Sequence, residues 1–491
     1  MELVFEIFSE EIPARMQTGA KKHLIELAEK SFKSHDILFS SLDSFVSPRR
    51  LVLIAKNLDF SKALAEKFVY KKGPSCKEPQ KELDKFKNSL LGQNFEITRK
   101  TIKNEEYFFA KLSKPKETPE ILTERSLKRI MTEFSWPKSM QWDDSFIKWI
   151  RPIRNLLCIL NGKIIAIQYG NLVANNTSYG HRFLYPENFT VASAKEYFSE
   201  LKNHKVILDS EERKSKIKKG ISTILDKLNL YLVEDENLLE EVTGLVEYPF
   251  VLLGKIDKEF LNLPEEIITN TLKTHQKYFT VRDKTGKLAP YFILVANTKT
   301  PNDSKQIVEG NQKVLRARLA DSKFFFNEDT KTTLASKVED LKKIIFHEKL
   351  GTILDKTYNT EKLVEKISNL SSTKFNLSLT KRAAHLSKAD LTTNLVKELP
   401  ELQGIIGQYY AEIDGEDKLV SQAIAEHYLP KGKEEKFPST IEGGIVAIAD
   451  KITTLVGLFV AGEVPTSSKD PYSLRRQALG IIKLICHFKI D

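Results

Sequence analysis

The spacing of apolar and polar positions changes along the chain, and that change divides it. Near the start, "LVFEIFSEE" alternates apolar with polar residues, as a half-buried strand does. "LIELAEKSFKSH" follows at helical spacing, and strand character resumes in "DSFVSPRRLVLIAKNL" after Ser47-Pro48. From Lys71 to Pro119 the chain is polar, rich in Lys and Glu, and reads mostly as helix or loop. "SFIKWIRPIRNLLCIL" leads into "NGKIIAIQYG", where Asn161-Gly162 is a hairpin turn signal. Helix and strand then alternate through "AKEYFSELKNHKVIL", "SEERKSKIKKGISTILDKLN" and "NLLEEVTGLVEYPFVLLG". Residues 1–329 thus predict a mixed α/β region of more than one domain.

After Asp329 the period becomes helical. "LASKVEDLKKIIFHEKLGTILDKTYNTEKLVEKISNL" carries apolar residues at three- and four-residue spacing almost without break. "RAAHLSKADLTTNLVKELPELQGIIGQYYAEI" and "KLVSQAIAEHYL" continue it, so residues 330–491 predict an all-helical domain and the whole an α+β multidomain protein. The most apolar run, "GGIVAIADKITTLVGLFVAG", has Asp450 and Lys451 at its middle. Charges there are costly in lipid, so a buried core helix is expected. The pattern is still helical and apolar at Asp491, which leads us to expect a longer natural protein.

Composition narrows the class. A chain of 491 residues exceeds one core, and 41% hydrophobic with 29% charged residues describes a globular protein. The 76 cations and 66 acids leave +10, a mild bias toward a polyanionic partner. Cys76, Cys158 and Cys486 are odd in number and far apart, which excludes a C-x-x-C zinc knuckle and suits a reducing cytoplasm. The acidic start, with Glu2, Glu6, Glu10 and Glu11, predicts no secretory signal.

Several chemistries lack their motifs. No G-x-x-x-x-G-K-[ST], G-x-G-x-x-G, G-x-S-x-G or H-E-x-x-H is present. "KLSKP" at 111–115 has no "HIGH" partner and reads as a solvated turn. His347, His385, His427 and Asp450 prompt a metal check on the helical region. A metal-dependent HD phosphohydrolase needs adjacent His and Asp, but the dyad position here reads Ala389-Asp390. His385 lies roughly 140° around a helix from Asp390, so the two do not share a face. The expectation is no metal site and no catalytic residue, with an HD-type phosphohydrolase kept as the enzymatic alternative.

Other stretches are dense in Arg and aromatics: "SPRRL", "WPKSMQW", "FIKWIRPIR", "GHRF", "TGLVEYPFVLLGKID", "LPEEIITNTLKTHQKYFTV" and "EGNQKVLRARLADSKFFFNED". Guanidinium forks suit phosphate and aromatic faces suit bases, so an RNA surface could be built from them. The competing reading is structural. Val314, Leu315 and Leu319 can form one helical stripe, with Arg318 ion-paired to Asp321 on the same helix.

Taken together, "EIFSEEIPARM", "SPRRL", "KGPS", "WPKSMQW", "RPIR", "GHRF", "EEVTGLVEYPFVLLGKID", "LPEEIITNTLKTHQKYF", "EGNQKVLRARLADSKFFF", "ELQGIIGQYYA", "EHYLPKG" and "VPTSSKDPYSLRRQALGI" resemble the beta subunit of bacterial heterotetrameric glycyl-tRNA synthetase. The blocks stand in family order from the N-terminus to about residue 480. The resemblance implies an alpha2beta2 ligase of the cytoplasm. In it the alpha subunit forms glycyl-adenylate with ATP and Mg, and this chain binds no cofactor but helps bind tRNA(Gly). It also implies a segment similar to the B3/B4 domain of phenylalanyl-tRNA synthetase, then an HD-like helical domain. The family's C-terminal anticodon-binding domain is expected to be absent from this chain. A pure scaffold for alpha is the remaining alternative.

Within this reading, "VPTSSKDPYSLRR" is a helix corner. Val464-Pro465 ends the buried helix, Ser467 or Ser468 caps the next turn, and Asp470-Pro471 opens a second helix. Leu474, Ala478, Ile481 and Ile485 form its apolar stripe. The expected tRNA contacts are Lys469, Arg475 and Arg476 at this corner, with Arg49, Arg50 and Arg182 upstream.

Overall fold

The structure is a computed structural model and describes residues 1–65, 68–91, 95–103, 105–113, 117–431, 436–467 and 469–491. It divides into two compact units. The first comprises Met1–Ile224, Glu234–Leu252 and Val295–Ser304, and the second Leu225–Val233, Leu253–Leu294 and Lys305–Asp491.

The first unit is built on strands β1 (Leu3–Ser9), β2 (Ser41–Ser47) and β3 (Arg50–Lys56). Strands β4 (Phe68–Ser75), β5 (Phe95–Ile102) and β6 (Glu105–Ser113) follow and make a separate antiparallel sheet, ordered β4-β6-β5. Strands β7 (Ile153–Leu160) and β8 (Lys163–Ile164) return to the first, giving the order β2-β3-β1-β7-β8. Asn161 and Gly162, with φ of 48° and 86°, join β7 to β8 as the dipeptide predicts.

Two expectations change here. "LVFEIFS" is buried at every position, because β1 is the central strand of a sheet covered on both faces. Leu3, Phe5 and Ile7 enter one core, together with Leu24 and Leu127 from the helices Ala14–Ser34 and Pro119–Glu133. Val4 enters another, with Tyr197 and Leu201 from Ala194–Asn203. The polar stretch from Lys71 holds three strands and one nine-residue helix, Gln80–Asn88, where helix or loop was expected. Its strands carry cations on both faces, as at Lys71-Lys72 and Arg99-Lys100, so no two-residue period shows in the sequence.

A four-stranded sheet, most of it in the second unit, is ordered Tyr231–Leu232, Phe279–Arg282, Leu288–Ala296, Phe250–Lys255. Beyond Lys305 the second unit is almost entirely helical. Its axis is Ile441–Ala461, packed against Ile353–Leu370, Leu377–Leu386, Lys418–Glu426 and Leu474–Phe488. Thr440 caps its start and Gly462, at φ 92°, closes its end. Glu442 to Lys451 are all buried. This helix is long and apolar enough to cross a membrane, but 61% of its apolar window lies inside the protein. Helix Lys305–Asp329 departs from the expected stripe: Leu315 and Leu319 are buried while Val314 is exposed, and Arg318 pairs with Glu398 at 3.4 Å.

Candidate nucleic-acid interface

The upstream arginines converge in the first unit. Pro48 and Arg49 form the turn between β2 and β3, so Arg50 begins β3 on the sheet face shared by Glu6. Both side chains are wholly buried. Arg50 Nε lies 3.3 Å from Glu6 Oε2, and its two Nη groups donate to Glu247 Oε1 and the Tyr179 carbonyl. Tyr197 Oη and Ser178 Oγ donate to Glu6 at 2.5 and 2.7 Å. Burial raises the Glu6 pKa against the pull of Arg50, while Glu247 and Glu6 hold Arg50 charged despite its burial. Arg50 is therefore an internal tie and is withdrawn as an RNA contact. A buried guanidinium clamped by two carboxylates has no surface to offer.

Arg49 and Arg182 flank this tie. Arg49 is half-buried, its guanidinium 4.5 Å from the Phe8 ring centre and its Nε without a hydrogen-bond partner. Burial lowers its pKa, Glu247 opposes that, and Arg50 and Arg182 add to it, so three cations lie within electrostatic reach. Arg182 donates to Glu10 Oε2 at 2.7 Å and to Glu11 Oε1 at 3.4 Å, and is 37% exposed. His181 shapes the loop that presents it. Its Nδ1 accepts from the Phe183 and Leu184 amides at 3.2 Å, which leaves Nε2 to donate to Asn297 Oδ1 at 3.0 Å. The preceding Gly180 is required, because a Cβ there would stand 2.2 Å from the Tyr185 carbonyl oxygen. Glu247 and Asn297 carry this arrangement and were not singled out from the sequence. Their local stretches hold no pattern that pairs them with residues so far upstream.

The corner at 464–476 belongs to the second unit. Thr466 and Lys469 close a turn, Thr466 N donating to Lys469 O at 2.8 Å and Lys469 N to Thr466 Oγ1 at 3.2 Å. Asp470 caps the next helix, accepting from Leu474 N at 2.7 Å and Arg475 N at 3.1 Å. That replaces the expected Ser467 cap, because the helix starts only at Leu474 and Asp470 reaches its first amides. Ser468, the other candidate, lies outside the described residues. Lys469, Arg475 and Arg476 are exposed, and Arg475 Nη2 donates to the Thr466 carbonyl. On Leu474–Phe488 the buried positions are Leu474, Gly480 and Leu484. Leu474 is buried as expected and Ile481 packs against the core, but Ile485 is 37% exposed and Leu484 is buried instead.

Around Asp450, charge is handled by lysines. Asp450 Oδ1 meets Lys356 Nζ at 2.7 Å and Lys388 Nζ at 3.3 Å, with all three side chains nearly buried. Lys388 Nζ also lies 2.8 Å from His427 Nε2 and 3.8 Å from the Tyr428 ring centre. Lys451 donates to the carbonyls of His427 and Leu429 at 3.2 and 2.8 Å. Burial opposes the Asp450 charge, yet Lys356 and Lys388 hold its pKa well below the carboxylate range. Burial lowers Lys388 to about 7 and raises Asp390 to about 6. Asp390 Oδ2 accepts from Gly404 N at 2.5 Å. His385 turns away to Glu361 at 2.7 Å. Among the described residues no three His, Cys, Asp or Glu side chains group closely enough to hold a metal ion.

Fold and surface describe a two-unit protein with exposed cations at Lys469, Arg475 and Arg476 and a partly exposed Arg182 paired with Glu10 and Glu11. Comparison with known proteins gives the class a family. The sequence profile of the glycyl-tRNA synthetase beta subunit matches residues 3–491, and the chain belongs to that family. It is 41% identical over 494 residues to the glycine–tRNA ligase beta subunit of Rickettsia felis, covering all of this chain and 72% of that protein. The beta subunits of Rickettsia typhi and Rickettsia prowazekii are 42% and 40% identical over 491 residues, with the same coverage.

Proposed function

We propose that this chain is the non-adenylating subunit of a glycine–tRNA ligase, and that it grips and aims tRNA(Gly) while an alpha subunit makes glycyl-adenylate. The family match across the chain carries this reading. We further propose an alpha2beta2 assembly in the cytoplasm, with ATP and Mg used by the complex and no cofactor held by this chain. In the same reading part of 1–329 is B3/B4-like and 330–491 is HD-like.

The mechanism is one of position. The terminal ribose hydroxyl must be held against the activated glycyl carbonyl, and placement of this kind can supply about 7–11 kcal/mol in the best intramolecular cases. Lys469, Arg475 and Arg476 are exposed and suited to phosphate. Arg49 and Arg182 offer a second cationic point, partly engaged by Glu10 and Glu11. Salt tests the division of labour. With the complete enzyme, charging should weaken with added salt more steeply than glycine-dependent adenylate formation, because only charging needs the phosphate contacts. Equal salt dependence of the two steps would remove the RNA role.

The HD-type phosphohydrolase is not favoured. Ala389 stands where a metal-binding His is required, and Lys388 lies against His427 and Asp450.

A further inference from the structure

The sheet β4-β6-β5 was not among the expected RNA surfaces, yet one of its faces has the chemistry of one. Register puts Tyr70 opposite Lys111, Lys72 and Thr98 opposite Phe109, and Lys100 opposite Tyr107. Directly opposed residues share a face, and so do alternate residues of one strand. Tyr70, Lys72, Lys100, Tyr107 and Phe109 therefore stand together. Lys72 Nζ is 3.6 Å from the Tyr107 ring centre, and Lys100 Nζ is 3.5 Å from that of Tyr70. Tyr70 is 45% exposed, and Lys72 and Lys100 are exposed.

This side has few carboxylates, and those are engaged. Glu96 faces Lys111 at 3.8 Å, while Glu105 accepts from Tyr107 Oη at 3.0 Å and lies 3.6 Å from Lys77. For Lys72 and Lys100 the described partners are aromatic rings. The segment 68–113 carries ten Lys and Arg against six Asp and Glu, so its charge complements a polyanion. On the other face Ala110 is fully buried, and Phe86 of the helix Gln80–Asn88 packs over Gly73.

We propose that the face bearing Tyr70, Lys72, Lys100 and Tyr107 binds a single-stranded segment of the RNA substrate. The proposal rests on the RNA-positioning reading above. Bases stack on the tyrosine rings by displacing the two ammoniums that now lie over the ring faces, and these ammoniums take the adjoining phosphates. Lysines and tyrosines interleaved on a sheet suit unpaired nucleotides better than a duplex, whose bases are already stacked.

The test uses the whole chain, a labelled 12-nucleotide single-stranded RNA, a duplex RNA of equal length, and tRNA(Gly). Tyr70→Ala with Tyr107→Ala should weaken single-strand binding by about 30-fold or more, two stacked bases being lost, and leave duplex binding unchanged. Tyr70→Phe keeps the ring and should bind like the parent. Lys72→Gln with Lys100→Gln spares the aromatic faces and should lower the salt slope for the single strand by about 1.4, two phosphates at about 0.7 each. Parental single-strand affinity and salt slope in both double variants would overturn the proposal. If the parent binds tRNA and the variants bind it equally well, this face alone is wrong. If the parent does not bind tRNA, the underlying RNA reading fails as well.

Discussion

Replacing Asp450 by Asn tests whether the lysine lattice of the helical unit is held by one carboxylate. Asp450 Oδ1 is shared by Lys356 at 2.7 Å and Lys388 at 3.3 Å, in surroundings where none of the three side chains is more than 11% exposed. Two unit charges about 4 Å apart interact by about 4 kcal/mol at an effective dielectric of 20. Removing one member of a buried pair costs about 3–5 kcal/mol, because the partner keeps its desolvation penalty. Asp450→Asn should therefore destabilise the helical unit by about 3–5 kcal/mol at neutral pH. Lys388→Met removes the second ammonium while Lys356 still neutralises Asp450, so its cost should stay within about 1 kcal/mol or become a gain. Combined, the substitutions should cost less than their sum, because the surplus cation is gone. Urea unfolding followed by circular dichroism at 222 nm measures these differences. Trp136, Trp142 and Trp149 all lie in the first unit, so their fluorescence reads that unit separately. An Asp450→Asn cost below about 1 kcal/mol, or strict additivity with Lys388→Met, would refute the shared-carboxylate account.

Asp390 supplies a pH dependence of known sign. Burial raises it from 3.8 to about 6, so the folded protein holds its proton more tightly than the unfolded chain. Its contribution is present below about pH 4 and lost as pH rises through about 6, so Asp390→Asn should be better tolerated at pH 7.5 than at pH 4 by up to about 3 kcal/mol; urea midpoints equally shifted at both pH values would contradict the burial. Arg50→Met should destabilise the first unit by about 3–5 kcal/mol, because Glu6 and Glu247 stay buried without their cation, and leave the RNA affinity of the folded protein unchanged, whereas Arg50→Glu, which gathers three carboxylates, should prevent soluble expression of the first unit. A soluble Arg50→Glu protein with weakened RNA binding would restore Arg50 as a contact. Arg475→Glu with Arg476→Glu should reduce tRNA affinity by at least tenfold and leave the 222 nm signal intact, since both side chains are exposed; normal binding would limit this corner to a packing role.

The local devices were legible in the sequence. The helical period after Asp329, the Asn161-Gly162 turn and the buried run around Asp450 follow from which residues lie three, four or two positions apart, or from a turn that suits one dipeptide. The many short blocks were also enough to resemble the family to which the chain belongs. The strands between Phe68 and Ser113 were missed because exposed cations stand on both faces, as at Lys71-Lys72 and Arg99-Lys100, which erases the two-residue alternation. The stripe on Leu474–Phe488 was placed with Ile485 inside, but the helix meets Ile441–Ala461 through Gly480, which lets the Lys451 stem come close.

What only the tertiary structure decided is the fate of charge. Arg49 and Arg50 are neighbours of one type, yet one reaches the surface beside Phe8 and the other is enclosed by Glu6 and by Glu247, 197 residues away. Asp450 and its lysines likewise arrive on separate segments, Lys356 on the helix Ile353–Leu370 and Lys388 in the turn after Leu377–Leu386. Local spacing specifies which residues share a face, but what covers that face comes from distant parts of the chain. A charged side chain is a binding group or an internal tie according to that cover, because desolvation makes an unpaired buried charge too costly to keep.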